Sequence, residues 1–183
     1  MAVMRSDAAR SRARILEAAR GRSSDSIRLN ELARETGLGV GTVYRHFATV
    51  TSLIEALNVD ALQELAGAAR RVAESSSAGV EFVDLVRRCA ELLLVRDGLK
   101  ELLIAEDVSS DVRVLRDDFR LAAGVALDAA IREGRVRPDI SIEHIQQLAC
   151  GVEYAARLGD PSEYSVLLDV MVSGLRPHDE FPC

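Results

Sequence analysis

The most informative residues of this 183-residue sequence are four neighbouring polar side chains: Thr42, Tyr44, Arg45 and His46. Hydroxyl, guanidinium and imidazole groups form hydrogen bonds with phosphates and with the edges of bases. Val43 and Phe47 alternate with them at a spacing that turns the apolar side chains inward on a short helix. We therefore expect a helix that reads nucleic acid in this segment.

The other reactive residues are not spaced as enzyme or metal sites require. Gly37 and Gly39 would fit a dinucleotide loop only after a strand and with a third glycine, but Thr42 holds that position. No nucleophile lies in a pattern with a base and an orienting group. The histidines are too far apart to predict a metal site: His46, His144 and His178. We expect no enzyme activity, no metal and no cofactor.

Hydrophobic periodicity predicts an all-α fold of about nine helices. The expected helices are 7–20, 29–36, 41–47, 51–73, 80–96, 98–106, 110–133, 141–158 and 162–174. The glycine-rich turn between the second and third helices indicates a helix-turn-helix, with Gly37 at a left-handed helix end. We predict a three-helix DNA-binding domain at 1–50, followed by a helical bundle at 51–183 for ligand binding and dimerisation.

Charge is distributed unevenly along the chain. The net charge is −6, yet residues 1–60 carry nine arginines against seven acidic residues. A basic N-terminal part on an acidic body fits contact with a polyanion, although a solvated arginine-rich helix face would give the same composition. The group Arg10, Arg12 and Arg14 has both interpretations, lying either near DNA or in solvent.

The cysteines and the hydropathy indicate a cytoplasmic protein. Cys89, Cys150 and Cys183 are odd in number and form no CxxC pair, which favours reduced thiols over disulfides or a zinc site. There is no signal-peptide pattern, and no apolar run is long enough to span a bilayer. We expect no membrane partner.

The segment around the glycine turn resembles the DNA-binding domain of the TetR (tetracycline-repressor-like) family. The strongest match is the run 37–47, GLGVGTVYRHF. Weaker matches are Ile15, Leu16, Ala18 and Ala19 in the first helix, Leu32 and Ala33 in the second, and Leu53. The resemblance covers about 45 residues and implies a double-stranded DNA partner. The DNA contacts it implies are Arg28, Val40, Gly41, Thr42, Tyr44, Arg45 and His46.

Three positions depart from the family pattern. The polar segment 21–26 replaces an apolar pair and a glycine-aromatic turn. Arg28 stands where a Ser or Thr usually caps the second helix; arginine can contact phosphate but cannot cap. Val50 replaces a lysine that anchors phosphate, and the loss of one such contact lowers the salt slope of binding by about one unit.

The C-terminal bundle is expected to hold a small-molecule site and a dimer interface. Such sites are apolar cavities between helices with a few polar groups. The candidate ligand residues are Cys89, Leu92, Leu93, Leu103, Phe119, Ala123, Leu127, Leu148, Val152, Glu153 and Tyr154; for each, ordinary core packing is the alternative. The candidate interface residues, on the last two helices, are Ile142, Ile145, Ala149, Val152, Ala156, Leu167, Val170 and Met171.

These features predict a homodimeric repressor that a small-molecule effector releases from a palindromic operator. In this hypothesis the effector pushes helix 110–133 against helix 51–73 and changes the separation of the DNA-reading helices. One alternative is an activator or a ligand-independent DNA-binding regulator, and a closed cavity of about 300 Å³ would distinguish the two. A helical interaction module that has lost DNA binding is the other alternative.

Overall fold

The computed structural model describes the backbone of residues 2–177 and the side chains of residues 7–160 and 162–177. All regular secondary structure in this part of the chain is helical, which confirms the all-α prediction. The helices are α1 (Ala2–Ala19), α2 (Leu29–Thr36), α3 (Val40–His46), α4 (Val50–Glu74), α5 (Ala78–Val95), α6 (Leu99–Ile104), α7 (Ser110–Arg132), α8 (Ile142–Leu158) and α9 (Tyr164–Gly174). Cys183 and His178 lie outside the described residues.

The helices form two compact units. The N-terminal unit runs to Asp60 and also includes Asp97–Val112, whereas the C-terminal unit consists of Ala61–Arg96 and the chain from Arg113 onward. The boundary falls inside α4, so this helix belongs to both units. These units are defined by packing, and the functional division at residue 50 stays a prediction.

The core of the N-terminal unit is built from one apolar face of each of the first helices. Ile15 of α1, Leu32 of α2 and Val43 of α3 are fully buried, as is Leu53 near the start of α4. Three- and four-residue spacing places such side chains on a single helix face, so α1 and α3 each pack against α2.

The turn between α2 and α3 depends on a left-handed glycine. Gly37 ends α2 with φ +62°, a conformation that costs residues with a Cβ atom about 1–2 kcal/mol. The amide of Leu38 donates to the carbonyl of Ala33 at 3.0 Å, which satisfies one of the last carbonyls of α2. The Arg14 guanidinium of α1 donates to the Thr36 carbonyl at the same helix end. These contacts fix the direction in which α3 begins.

Residues 97–112 pack against the first half of α4. The side-chain amide of Asn58, which is buried, donates to the carbonyl of Asp97 at 3.0 Å. The Glu55 carboxylate accepts from the amide of Ser109 at 2.7 Å. Gly98 has φ +87°, and a Cβ atom there would lie 2.6 Å from Cγ2 of Ile54. A close, polar and sterically strict contact therefore joins this segment to α4.

The C-terminal unit has α5 packed against both α8 and α9. The Glu133 carboxylate, after α7, accepts from the amide of Gly79 in the first turn of α5 at 3.3 Å. Ser141 caps α8 in a reciprocal arrangement in which its hydroxyl accepts from the His144 amide and its amide donates to Nδ1 of His144. The Glu133 carboxylate thus fixes the start of α5, and the Ser141 cap fixes the start of α8.

Candidate nucleic-acid interface and bundle cavity

Helix α3 presents a small exposed surface and hides its apolar residues. Val43 and Phe47 are buried, whereas Tyr44 is 45% exposed and Val40 is 49% exposed. Gly41 and Arg45 are also exposed, and Thr42 and His46 are half-buried. Seven residues make a helix about 10 Å long, which the major groove of B-DNA admits. Residues Val40, Gly41, Thr42, Tyr44, Arg45 and His46 thus lie on one short helix, and we call its exposed side the α3 surface.

Arg45 lies along its own helix. Its Nε donates to the carbonyl of Gly41 at 3.1 Å, and its Nη2 donates to the hydroxyl of Thr42 at 3.1 Å. Both contacts are local and exposed, so they exchange readily with contacts to an external partner. A planar guanidinium held in this position is suited to a phosphate or to the acceptor pair of guanine.

Arg28 makes different contacts. It is the residue before α2 and makes no side-chain cap there, as its chemistry requires. Its guanidinium instead donates to the carbonyls of Asp25 and Ile27, at 2.7 and 2.9 Å. A phosphate contact from Arg28 would have to form beside these bonds or replace them.

Four other arginines of the N-terminal unit form contacts within the protein. The Arg12 guanidinium lies 5.3 Å from the centre of the Phe47 ring, within the range of a cation–π contact. Arg22 pairs with Glu35 of α2, and Arg14 contacts the end of that helix. Arg10 pairs with Asp7 on α1. Arg12 and Arg14 of α1 therefore contact Phe47 and the end of α2, whereas Arg10 pairs within α1 itself.

The helix ends near the α3 surface differ in how they are capped. Gly39 precedes α3 and supplies no side-chain cap. Before α4, the hydroxyl of Thr49 accepts from the amide of Ser52 at 3.0 Å, and the hydroxyl of Ser52 accepts from the amide of Thr49 at 3.3 Å. Sequence analysis missed this reciprocal cap, although Thr49 and Ser52 have its three-residue spacing.

A cavity of about 30 Å³ lies within the C-terminal unit, between α5, α7 and α8. Four of the predicted ligand residues line it: Cys89, Leu93, Phe119 and Ala123. Sequence analysis missed its other lining residues, among them Phe82, Val86 and Gln146. The helical spacing of Phe82, Val86, Cys89 and Leu93 along α5 is a signal that could have found this wall.

The remaining predicted ligand residues do not line that cavity. Leu103 is fully buried in the N-terminal unit, and Leu127 is buried in the other unit. Glu153 is 2% exposed and pairs with Arg157, whereas Tyr154 is 60% exposed. Leu92 is half-buried and does not reach the lining. Leu148 and Val152 line a separate, open groove.

That groove, of about 820 Å³, follows the exposed sides of α8 and α9. Of the predicted interface residues, Val152, Leu167, Val170 and Met171 line it, and Met171 is largely buried. Ile145, Ala149 and Ala156 are buried inside the protomer. Ile142, Ile145 and Ala149 line the small cavity instead. Ile145 and Ala149 are buried beside α5 and α7, whereas Ile142 is half-buried.

Two groups near the cavity are neutral, the half-buried thiol of Cys89 and the buried phenol of Tyr164. Burial, followed by the nearby Cys150, raises the pKa of the Cys89 thiol to about 12, so it is protonated at neutral pH. Burial, followed by the nearby Glu91, raises the pKa of the Tyr164 phenol above its ordinary value. A thiol that stays protonated is a poor nucleophile.

Comparisons with known proteins give this geometry its context. Residues 77–177, more than half of the chain, match the TetR C-terminal family described as "Transcriptional regulator SbtR-like, C-terminal domain". The chain belongs to the TetR family of transcriptional regulators. This match lies in the bundle, where sequence analysis found no resemblance beyond helix number and length. No curated protein matches the sequence.

Solved structures of TetR regulators are similar along most of the chain. SCO0520 from Streptomyces coelicolor is 26% identical with a TM-score of 0.54, covering 91% of this chain and 98% of that one. AmtR from Mycobacterium smegmatis is 21% identical with a TM-score of 0.64, covering 93% and 86% respectively. The AmtR similarity shows the fold alone.

As a TetR-family member, the protein is a DNA-binding transcriptional regulator, as the sequence predicts. Regulators of this family are generally not enzymes. Within the described residues, no three His, Cys, Asp or Glu side chains are grouped as ligands of a metal ion. No helix in that part of the chain is long and apolar enough to cross a membrane.

Proposed function

We propose that this TetR-family protein is a cytoplasmic, homodimeric repressor that binds a palindromic operator through α3 and is released by a small molecule. The observation that carries the proposal is the α3 surface. It combines a narrow helix, an exposed Tyr44, and an arginine whose contacts are all within its own helix. Such a surface has hydrogen-bonding groups for phosphates and bases, and its glycine leaves room for a duplex to approach closely.

The absence of a side chain at Gly41 supports a close approach to DNA. A Cβ atom added there meets nothing within 4 Å, so no packing inside the protein requires a glycine at this position. Glycine in a helix is less stable than alanine by roughly 0.5–1 kcal/mol. Close contact with a phosphate or base edge would explain why this weaker helix former occupies the exposed face.

Gly41→Ala is therefore expected to stabilise the protein by up to about 1 kcal/mol and to weaken operator binding by about tenfold or more. Urea unfolding and fluorescence anisotropy with operator DNA measure the two effects. Gly124→Ala in α7 is the matched control, since a Cβ atom there also meets nothing within 4 Å. It should stabilise the fold and leave DNA affinity unchanged. Unchanged affinity in Gly41→Ala would remove Gly41 from the interface.

The dimer is proposed to form along the groove between α8 and α9. Its apolar residues Leu148, Val152, Leu167 and Val170 are exposed or half-buried in the protomer. Contiguous apolar surface of this kind marks an interaction site. Gly151 and Ala155 also line the groove and leave room for helices of a second copy. A twofold dimer would place two reading helices about 34–36 Å apart, matching one turn of the duplex.

Val170→Glu should convert the dimer to a monomer and reduce operator affinity by at least about 100-fold, because one half-site contact is lost. Analytical ultracentrifugation reads the mass, and anisotropy reads the affinity. Val114→Glu on α7 is the control, since both valines are 67% exposed in the protomer. The control should remain dimeric. A dimeric Val170→Glu protein would place the interface elsewhere.

Release by an effector is proposed to act through α4. The second half of this helix is tied to α7 by Arg70 and Asp118, whose Nε and Oδ2 atoms are 3.4 Å apart. Its first half is tied to residues 97–112 by Asn58 and Glu55. Because α4 is one continuous helix, a shift of α7 can pass along it to the unit that carries α3. The effector must bind one of the two arrangements more tightly for this to occur.

A ligand-independent regulator is the second candidate, and the cavity volume favours it. About 30 Å³ is far below the roughly 300 Å³ of an ordinary ligand site. Effector binding thus requires the bundle to open. Selection of bound fragments from genomic DNA, followed by a compound screen on the selected operator, tests both candidates. A palindrome with half-sites one duplex turn apart supports the proposal, and an operator that no compound releases supports the second candidate.

A further inference from the structure

The small cavity between α5, α7 and α8 is lined almost entirely by apolar side chains, and this lining bears on the chemistry of the effector. Its walls are hydrocarbon, including the rings of Phe82 and Phe119, except for the Cys89 thiol and the Gln146 amide. No ionised side chain is among the lining residues. Because the Cys89 thiol is protonated at neutral pH, it adds no charge to the site.

A charged molecule is a poor fit for such a site. An ion leaving water needs a paired charge or several hydrogen bonds, and the lining supplies one amide and one weak thiol donor. A neutral apolar molecule meets no such penalty and gains from the removal of its surface from water. The lining itself therefore carries no charge to pair with a carboxylate, a phosphate or an amine.

The cavity is also small, and the structure indicates where it can widen. Its volume of about 30 Å³ is close to the share of one water molecule in the liquid. Ala123 of α7 and Ala149 of α8 both line it, so the walls of these two helices include small side chains. Between the same helices, Nη2 of Arg120 donates to Oε1 of Gln146 at 3.4 Å, a long hydrogen bond. This bond is one of the contacts that separating α7 from α8 would break.

We propose that the effector is a compact, uncharged and mostly apolar molecule with one polar group, which enters by parting α7 from α8 and hydrogen-bonds to the Gln146 amide. The inference rests on the proposed function, since it names the class of molecule that would release the repressor. It adds a size, a charge and a polar contact, all of which are testable without knowledge of the natural effector.

Thermal unfolding of the DNA-free protein with three probes of similar shape tests the proposal: phenol, toluene and benzoate. Both neutral probes should raise Tm, by about 3–5 °C at ten times their dissociation constant, with phenol binding more tightly than toluene. Benzoate should give no shift. A benzoate shift equal to that of phenol, or no shift with either neutral probe, would overturn the inference.

Substitutions at cavity-lining residues test whether the probes bind in the cavity. Ala149→Val fills the cavity from α8 and Ala123→Val fills it from α7, so either should remove the Tm shift, and the second serves if the first fails to fold. Leu121→Ala, exposed on α7, is the control that should keep it. In the Gln146→Leu variant, phenol should bind no more tightly than toluene. Unaltered shifts in a folded cavity-filled variant, or an unaltered preference for phenol in Gln146→Leu, would contradict the proposed site.

A failure of the proposed function can be distinguished from a failure of the ligand inference. Because the Tm shifts are measured without DNA, they report on the cavity alone. Anisotropy with operator DNA then shows whether phenol weakens binding. Cavity-dependent Tm shifts with unchanged operator affinity would leave the ligand class standing and refute release. Operator binding without cavity-dependent Tm shifts would refute the ligand class and leave the DNA-binding function standing.

Discussion

Arg45→Ala is expected to weaken operator binding by about 30-fold or more while leaving stability within about 0.5 kcal/mol. In the free protein the Arg45 side chain contacts only Gly41 and Thr42 of its own helix, and it is exposed. Its removal therefore breaks no packing. A base or phosphate contact is worth about 1–3 kcal/mol, and the proposed dimer would lose two of them.

The control is Arg113→Ala, which removes the same charge from an exposed position in α7. Anisotropy with operator and random DNA measures both variants. Arg45→Lys separates two roles, because lysine keeps the charge but lacks the planar pair of donors. A base-reading Arg45 loses sequence preference in the lysine variant, whereas a phosphate-binding one retains it. Equal affinities of Arg45→Ala and Arg113→Ala would exclude a direct contact.

Gly98→Ala is expected to lower the free energy of unfolding by roughly 2–4 kcal/mol. No other addition of a single methyl group in the N-terminal unit is expected to cost as much. Two effects combine at this position. The φ of +87° is unfavourable for alanine, and the added Cβ atom would lie 2.6 Å from Cγ2 of the buried Ile54. The contact of residues 97–112 with α4 must then loosen.

Thermal unfolding should show a decrease in Tm of about 5–15 °C for Gly98→Ala. Gly134→Ala isolates the two effects, because φ there is +66° but a Cβ atom meets nothing within 4 Å. It should cost only about 1–2 kcal/mol, the conformational part. Equal destabilisation by the two variants would mean that the contact with Ile54 contributes nothing.

The sequence was sufficient to predict the helices and the direction of the α3 side chains. Val43 and Phe47 are buried and Tyr44 is exposed because a short helix with apolar residues three and four apart has only one way to pack. The left-handed Gly37 was likewise predictable, since few other residues tolerate that backbone conformation.

The packing of α8 was less predictable because this helix is apolar on more than one side. Ile145 and Ala149 face the interior of the protomer, whereas Leu148 and Val152 line the open groove. Periodicity identifies both stripes but not the helix that covers each one. The sequence alone therefore could not divide these residues among cavity, core and interface.

The contact of residues 97–112 with α4 was also missed. Its hydrogen bonds join residues 39 and 54 positions apart, and no local pattern reports a contact at that separation. Asn58 is the signal that could have indicated it, because it interrupts an apolar helix face and a buried amide requires hydrogen-bond partners. Arg12 and Arg14 were open to a DNA role for the same reason, since their partners Phe47 and Thr36 lie far from them along the chain.

The α3 surface is expected to bind a specific DNA site both electrostatically and through contacts with bases. Fluorescence anisotropy of the purified protein with the intergenic DNA beside its own gene, at two salt concentrations, tests this most directly. We expect binding that is tighter than to random DNA, that weakens steeply with salt, and that is about 30-fold or more weaker in Arg45→Ala. Binding to both DNAs with equal affinity, unaffected by Arg45→Ala, would contradict it.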